Sequence, residues 1–410
     1  MDQFFKLTHY RNFCGTARAA TVLLCFTSHL RSLMRHFVGG RDPFLVKVAV
    51  FGLTISSSWG NGHATPYRAI LRALHRIGHD IHFFEKDVSY YRARRDFDST
   101  DYCRLTLYQD WQSVRAIALA HAGESDVVIT ASYVPEGQSI NDDVLSLARP
   151  LRVFYDLDTP VTLGQLENGD AEYLRRDQLP EFDLVLSFTG GPILTQLENK
   201  FGARKARALY GCVDPDDYLR APSSPEFACD LSYMGTFSPD RQEKVNTLFL
   251  EPARRHAARQ FVLAGPLYPC DWQWPRNVRR IEHVAPRDHP AFYSSSRVTV
   301  NITRGEMARW GWCPSGRFFE AAACGTPLIS DWWEGLDWFF DVARDLRVVS
   351  HPEHVEQALA MPDSELQALA RHARQRTLDD HTGSVRARQL LTYLEEARAR
   401  ATKKGTEVAP

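Results

Sequence analysis

No two of the chain's eight cysteines stand in Cys-x-x-Cys spacing, which argues against a zinc ribbon and against a disulfide-stapled scaffold. Long apolar runs are missing as well. The longest near the start, Ala19 to Phe26, is eight residues, well short of the roughly 18 that a membrane span needs. Nor is there an excess of charge: 49 Lys and Arg face 50 Asp and Glu, so the chain as a whole is not built to hold a polyanion such as nucleic acid. No internal repeat is visible. Hydrophobic residues at 44% and charged residues at 24% are ordinary globular usage, which excludes wholesale disorder. Across 410 residues that composition implies a soluble, cytoplasmic protein of two or three domains.

Residues 1–41 stand apart. They carry Lys6, Arg11, Arg18, Arg31, Arg35 and Arg41 against a single acid, Asp2. We expect a basic leader, either disordered or a peripheral helix touching a membrane surface. It makes a poor targeting peptide, because no small-x-small cleavage site follows its apolar stretch.

From Phe44 the pattern becomes strand, helix, strand. Phe44 to Leu53 is valine-rich and apolar, ended by Gly52 and a serine run, and reads as a buried strand. Thr65-Pro66 opens a helix, Ile70, Leu74 and Ile77 keep helical spacing, and Gly78 stops it. Further strands read at Asp80 to Glu85, Asp126 to Thr130, Leu151 to Tyr155 and Asp183 to Phe188. Such alternation implies a parallel sheet covered on both faces. Pro222-Ser223-Ser224-Pro225 reads as a linker. Beyond it strands read at Asp230 to Met234, Gln260 to Ala264, Arg297 to Thr303, Pro327 to Ser330 and Leu346 to Val349. Helices fall at about Arg241 to Ala258, Gly316 to Cys324 and Val355 to Ala360. The expected fold class is therefore α/β, with two facing Rossmann-like domains over 44–222 and 226–382. A closing helix and tail occupy 383–410.

Three stretches carry candidate chemistry. In Ser58-Trp59-Gly60-Asn61-Gly62-His63-Ala64, glycines let a ligand approach the backbone, and the helix start offers free N–H groups. Gly60-x-Gly62-x-x-Thr65 is also a partial dinucleotide fingerprint, with Glu85 and Asp87 placed where a ribose-binding acid would stand. Its third glycine is replaced by threonine, so a plain connecting turn competes with it. Asp156-x-Asp158, after an apolar strand, has the spacing to hold a divalent cation against a diphosphate, yet Asp158-Thr159-Pro160 equally reads as a turn.

The third stretch runs from Trp312 to Pro327. Ser315 is placed as a helix cap. Arg317 and Glu320 are three apart and share a helix face. A cation beside a helix start suits phosphate, and a carboxylate further along can accept both hydroxyls of a ribose. The competing reading is an exposed Arg317–Glu320 ion pair of little energetic weight. Five tryptophans surround the stretch (Trp310, Trp312, Trp332, Trp333 and Trp338), each by itself more suited to core than to ligand stacking. Arg241 and Arg304 each follow a strand end, from which a side chain reaches a phosphate across a cleft.

Pro314-Ser315-x-Arg317-x-Phe319-Glu320-Ala321-Ala322-Ala323-Cys324-Gly325-Thr326-Pro327 resembles the C-terminal motif of GT-B glycosyltransferases, more closely that of the spore-maturation CgeB-like family. Asn301-Ile302-Thr303-Arg304, Trp333-Glu334-Gly335-Leu336, Leu186-Ser187-Phe188-Thr189-Gly190-Gly191, Val213-Asp214-Pro215 and Gly235-Thr236-Phe237-Ser238 extend the match. The resemblance implies a GT-B fold and a hexosyltransferase-like enzyme. It would move sugar from a nucleotide-diphosphate sugar to an acceptor hydroxyl, with no cofactor beyond that co-substrate and no metal. It places Glu320 on the donor ribose, Ser315 and Arg317 at the diphosphate, and Gly325 at a close backbone approach. Arg241 and Arg304 join the donor side. Gly60, Asn61, Gly62 and Asp158 fall on the acceptor side, with His63 as the catalytic candidate. One position departs: relatives of the retaining class carry Glu-x7-Glu, and Trp312 occupies the place of the first glutamate. The arginine- and tyrosine-rich stretch Asp87 to Asp110 suits an anionic or aromatic acceptor.

Three other functions fit parts of this pattern. A metal-dependent transferase would use Asp156 and Asp158, an NAD-dependent oxidoreductase would use the glycine loop, and a sugar-nucleotide or glycan-binding protein would bind without turnover.

Overall fold

The computed structural model describes residues 45–407, so the basic leader 1–41 lies outside the described residues. Two wholly parallel sheets carry the fold. The first orders its strands β3-β2-β1-β4-β5-β6-β7, namely β1 (Lys47–Gly52), β2 (Asp80–Lys86), β3 (Arg104–Tyr108), β4 (Val127–Ala131), β5 (Leu151–Asp156), β6 (Leu184–Ser187) and β7 (Ala206–Ala208). The second runs β10-β9-β8-β11-β12-β13, with β8 (Cys229–Met234), β9 (Phe261–Ala264), β10 (Val278–Ile281), β11 (Ser296–Asn301), β12 (Leu328–Ser330) and β13 (Leu346–Val348).

Central strands are apolar because helices cover both faces. Along β9, Phe261 and Leu263 enter one core while Val262 and Ala264 enter the other, the period-two alternation of a pleated strand. The sequence does not reveal strands β3, β7 and β10, three of the four sheet edges; the fourth, β13 (LRV), is read because it runs on into buried Val349. Edge strands are half solvated and tolerate charge, and RLTLY, ARA and VRRI carry arginines where a central strand carries valine. The expected helix Arg241 to Ala258 is broken into Pro239–Val245, a π turn Asn246–Leu250 and Glu251–Arg255.

In each sheet the winding reverses once, between β1 and β4 and between β8 and β11. Ligands of such folds bind outside the carboxyl ends at that reversal, so the topology nominates the loops after β1, β4, β8 and β11.

The chain crosses between the sheets twice, and the crossings are bonded to each other. Val213 N–H donates to the His381 carbonyl (3.1 Å), and Gly383 N–H donates to the Val213 carbonyl (2.8 Å). Arg386, 1% exposed, clamps the pair through the carbonyls of Tyr210 (3.1 Å) and Asp380 (3.0 Å) and through His381 Nδ1 (2.7 Å). Burial, then the Arg386 charge, drives His381 down to about 3, so the ring is neutral and accepts that bond. The last helix, Gly383–Glu407, thereby returns to the first sheet, where Leu390, Leu394 and Ala397 join the N-terminal core. No described helix is long and apolar enough to cross a membrane.

Gly383 sits where a β-carbon would lie 2.2 Å from the Ala69 carbonyl oxygen, a contact that backbone atoms cannot relieve. Gly383→Ala should therefore cost about 1–3 kcal/mol, the usual range for overpacking. An unchanged urea midpoint would show that the last helix does not press on the helix Ala64–Arg76.

Candidate functional site

A cleft of about 600 Å³ opens at both reversal points. From the first sheet it receives the loop after β1, Tyr133 after β4, Asp158 after β5 and Phe188 after β6. From the second come Gly235 to Ser238 after β8, Ile302 to Arg304 after β11, and the start of the helix Gly316–Ala323.

The loop after β1 is held from below by Glu85, which is 1% exposed. Its carboxylate accepts from Thr54 Oγ1 (2.7 Å), Ile55 N–H (2.9 Å) and Ser56 N–H (3.1 Å). Asp87 is bound to Arg92, Arg95 and Gln109. Both acids that a dinucleotide ribose would need are thus committed to the protein's own chain. Buried Asn61 is a strut: its amide donates to the carbonyls of Thr54 and Ser57 and its oxygen accepts from His63 N–H. Gly60 has φ +59°, and a β-carbon there would meet the Tyr90 hydroxyl at 2.8 Å. Gly62 has open space on its side-chain face and lines the cleft.

These constraints deliver His63 at the helix start. Its Nε2 lies 3.5 Å from Asp158 Oδ2, while its Nδ1 is buried without a partner. The Tyr133 ring packs beside it at 5.8 Å between centroids. Burial, then the charges of Asp158 and Asp156, pushes the Tyr133 hydroxyl well above its ordinary value, so it stays protonated. Asp156 differs from its neighbour: it is 1% exposed and accepts from Thr162 Oγ1 (2.9 Å) and Asp158 N–H (3.2 Å). Burial raises it to about 7. Among the described residues, no group of three His, Cys, Asp or Glu side chains is arranged to hold a metal ion.

The opposite wall is cationic. Arg241, 4% exposed, donates to the Thr236 carbonyl and, among the described residues, has no carboxylate partner. Its Nε, together with Arg317 Nη1, is buried without any partner. Arg304 lies 3.5 Å from Asp240 and completes the set. Burial lowers the Arg241 guanidinium, and Arg317 and Arg304 push the same way, opposed by the phenol rings of Tyr233 and Tyr268. Three like charges around partly unsatisfied N–H groups are suited to an anion. Ser315 occupies the cap position of the helix Gly316–Ala323, but its hydroxyl makes no capping bond. Gly235 and Gly265 let the ends of β8 and β9 meet, since a β-carbon at Gly265 would lie 2.1 Å from the Gly235 carbonyl.

Glu320 forms no ion pair with Arg317 among the described residues. It points instead to Tyr293, whose hydroxyl donates to Oε2 (3.3 Å), and to His289 Nδ1 (3.7 Å). His289 Nε2 lies 3.1 Å from the Val284 carbonyl, and its Nδ1 lies 3.2 Å from the Tyr218 hydroxyl. Tyr218 lies 3.3 Å from Thr65 Oγ1. A chain of polar contacts therefore runs from the acceptor-side helix start to Glu320.

Of the residues singled out in sequence, His63, Gly60, Asn61, Gly62, Asp158, Arg241, Arg304, Ser315, Arg317 and Glu320 all line this cleft. Gly325 does not. With φ +72° it ends the helix Gly316–Ala323, the usual place of a left-handed cap, and borders a separate hollow beside Cys324 and Thr326. None of the five tryptophans lines the cleft: Trp333 is core and Trp332 and Trp338 are exposed. Trp312 (φ 49°) is pressed between the positions of Gly191 and Gly335. Its rings are replaced in the cleft by Tyr91, Tyr133, Phe188, Phe237, His283 and His289. Only the topology reveals these: four stand just past a strand or in a loop, while Tyr91 lies in the short helix Ser89–Arg92 and His289 opens the helix His289–Ser294.

Residues 241–392 match a family model described as glycosyl transferase-like. A comparison with curated proteins found no match. Among solved structures, the chain is similar to a sucrose-phosphate synthase from Thermosynechococcus elongatus, at TM-score 0.60 and 13% identity over 87% of this chain and 100% of that one. It is also similar to an α-glucosyltransferase in complex with UDP-glucose and DNA containing an abasic site, at TM-score 0.63 and 10% identity over 85% and 99%. The third is HepE of Anabaena in complex with UDP-glucose, at 0.58 and 11% over 86% and 100%. The architecture is the GT-B fold.

An acid whose folded value is raised favours folding below its unfolded value and loses that contribution as pH climbs to the folded one. For Asp156 the window is from about 4, the ordinary value, to about 7. Asp156→Asn keeps an acceptor oxygen for Thr162 and Asp158 and should flatten stability across that window, leaving the variant ahead of wild type at pH 8. Urea midpoints from pH 4 to 8 that decline in parallel for both proteins would show that Asp156 is not the group responsible.

Proposed function

We propose that the protein is a glycosyltransferase of the CgeB-like kind, moving a sugar from a nucleotide-diphosphate sugar to an acceptor hydroxyl. One observation carries the reading: Arg241, Arg317 and Arg304 converge on the cleft without enough acidic partners, beside the N-terminus of the Gly316–Ala323 helix. A diphosphate is the group that this field suits. Glu320, which accepts from the Tyr293 hydroxyl and lies beside His289, is our candidate for the donor ribose. The UDP and UDP-glucose complexes of similarly folded proteins support a sugar nucleotide as the ligand class.

In the proposed step the acceptor oxygen bonds to the anomeric carbon as that carbon's bond to the diphosphate oxygen breaks. The electron pair leaves with the nucleoside diphosphate, and the arginines balance the charge that grows there. His63 takes the acceptor proton, oriented by Asp158 at 3.5 Å. All six described cysteines are free, which supports a reducing, cytoplasmic setting.

The competing oxidoreductase reading loses its chemistry with Glu85 and Asp87 already engaged. A protein that binds sugar nucleotide without turnover differs in outcome, not in site. Thermal shift against UDP, GDP, dTDP, CDP and NAD⁺ separates them. One nucleoside diphosphate should stabilise the wild type, by about 2.7 kcal/mol at 100 times its dissociation constant. Arg317→Ala and Glu320→Ala should each abolish most of that gain, and His63→Ala should retain it while losing transfer. Stabilisation by NAD⁺ alone would overturn the assignment, and donor binding with no transfer or hydrolysis would favour the binding-only protein.

A further inference from the structure

The two walls of the cleft differ in charge, and that difference selects the acceptor. Among the described residues, all three lining arginines come from the second sheet's side; from the first sheet's side the charged or titratable groups are His63, Asp158 and the Tyr91 and Tyr133 phenols. The bases nearest that wall are spent elsewhere. Arg92 and Arg95 bind Asp87, and Lys86 binds Glu136 at 2.6 Å. Arg68 binds Asp96 at 2.6 Å, and Arg94 lies over the Trp59 ring at 4.2 Å. The arginines of the stretch that in sequence suits an anionic partner therefore do not line the cleft; of that stretch, Tyr91 does.

An anionic acceptor placed against this wall would face the Asp158 carboxylate, with no cation on its own side to offset the repulsion. An uncharged polyol meets no such penalty. The rings of Tyr133 and Tyr91 offer flat apolar faces, and His63 with Asp158 offers a hydrogen-bonding pair beside Tyr133. That combination fits a sugar ring, whose C–H face packs on an aromatic while its hydroxyls reach polar groups.

Resting on the transferase reading above, we infer that the acceptor is an uncharged carbohydrate, seated on Tyr133 and Tyr91 with one hydroxyl at His63–Asp158. The donor supplies all the negative charge that the cleft is built to take. Discrimination among acceptors then comes from charge exclusion on one wall as much as from contact.

Ligand-observed saturation-transfer NMR on the full chain tests this, with the arginine cluster occupied by saturating inorganic pyrophosphate whatever base the donor carries. Methyl glucoside, methyl galactoside and methyl mannoside are compared with glucuronate and glucose 6-phosphate. At least one neutral glycoside should bind ten or more times tighter than both charged sugars. Tyr133→Ala should weaken it severalfold, and Asp158→Lys should narrow or invert the preference by admitting glucuronate. Equal or tighter binding of a charged sugar or of an oligonucleotide overturns the inference, and so does no transfer to any neutral glycoside. Thermal shift of the same sample with pyrophosphate keeps the two levels separate. If pyrophosphate does not stabilise the protein the donor-site reading has failed; if it does and the sugars disobey, only the acceptor class has.

Discussion

The cleft exists because the two chain crossings are bonded to each other. Val213, His381 and Gly383 form a short parallel bridge outside either sheet, and buried Arg386 gathers the carbonyls around it. Without that tie, two sheets joined by linkers would present their carboxyl ends in no fixed relation, and groups on opposite walls would not meet within a few ångströms. Burying a guanidinium is costly unless its donors are satisfied. Arg386 satisfies them with main-chain carbonyls and with a histidine whose own burial keeps it neutral. The polar thread Thr65–Tyr218–His289–Glu320 runs beside the same joint, so the orientation of Glu320 depends on the placement of the first domain.

The arginine cluster is the counterpart of that rigidity. Arg241 is almost fully buried among like charges, held by one carbonyl and by the face of Tyr233 at 5.9 Å. A fold optimised for stability alone would place a carboxylate there, or an apolar side chain. Keeping a cation in its place stores unfavourable electrostatics that an anion, such as the proposed donor's diphosphate, would relieve, the kind of stability sacrificed at working sites. Asp331, just past β12, is occupied by Lys244 at 2.6 Å and by Thr303.

Much of this was legible in sequence because it follows from local rules. Apolar runs found the central strands, Thr65-Pro66 and Ser315 found helix starts, and strand-end arginines pointed to the cleft. Edge strands β3, β7 and β10 were hidden because half-solvated strands lack an apolar run. The aromatic lining was hidden for a different reason. Tyr133 and His289 become site residues only when the sheets face each other, and nothing local to YVPEG or RDHPAFY encodes that. Gly325 shows the converse error, since a glycine after a helix is demanded by the cap and needs no ligand to explain it.

Trp312 brings these threads together. It stands eight residues before Glu320, where retaining relatives have the glutamate that contacts the sugar, and its side chain turns out of the cleft. Its backbone carries φ 49°, a strained value for a bulky residue. Three contacts hold it: its N–H donates to the Glu334 carbonyl (2.6 Å), its carbonyl accepts from Gly190 N–H (2.9 Å), and its indole fills the space left by Gly191 and Gly335. Those two glycines have φ +63° and +88°, and both face the same ring. Position 312 is therefore a piece of the joint between the domains. A glutamate placed there would lose the packing that supports the strained backbone and would add a carboxylate next to buried Cys313 and the cleft. On the transferase reading proposed above, contact with the transferred sugar would then come from the opposite wall, where His63, Asp158 and Tyr133 converge.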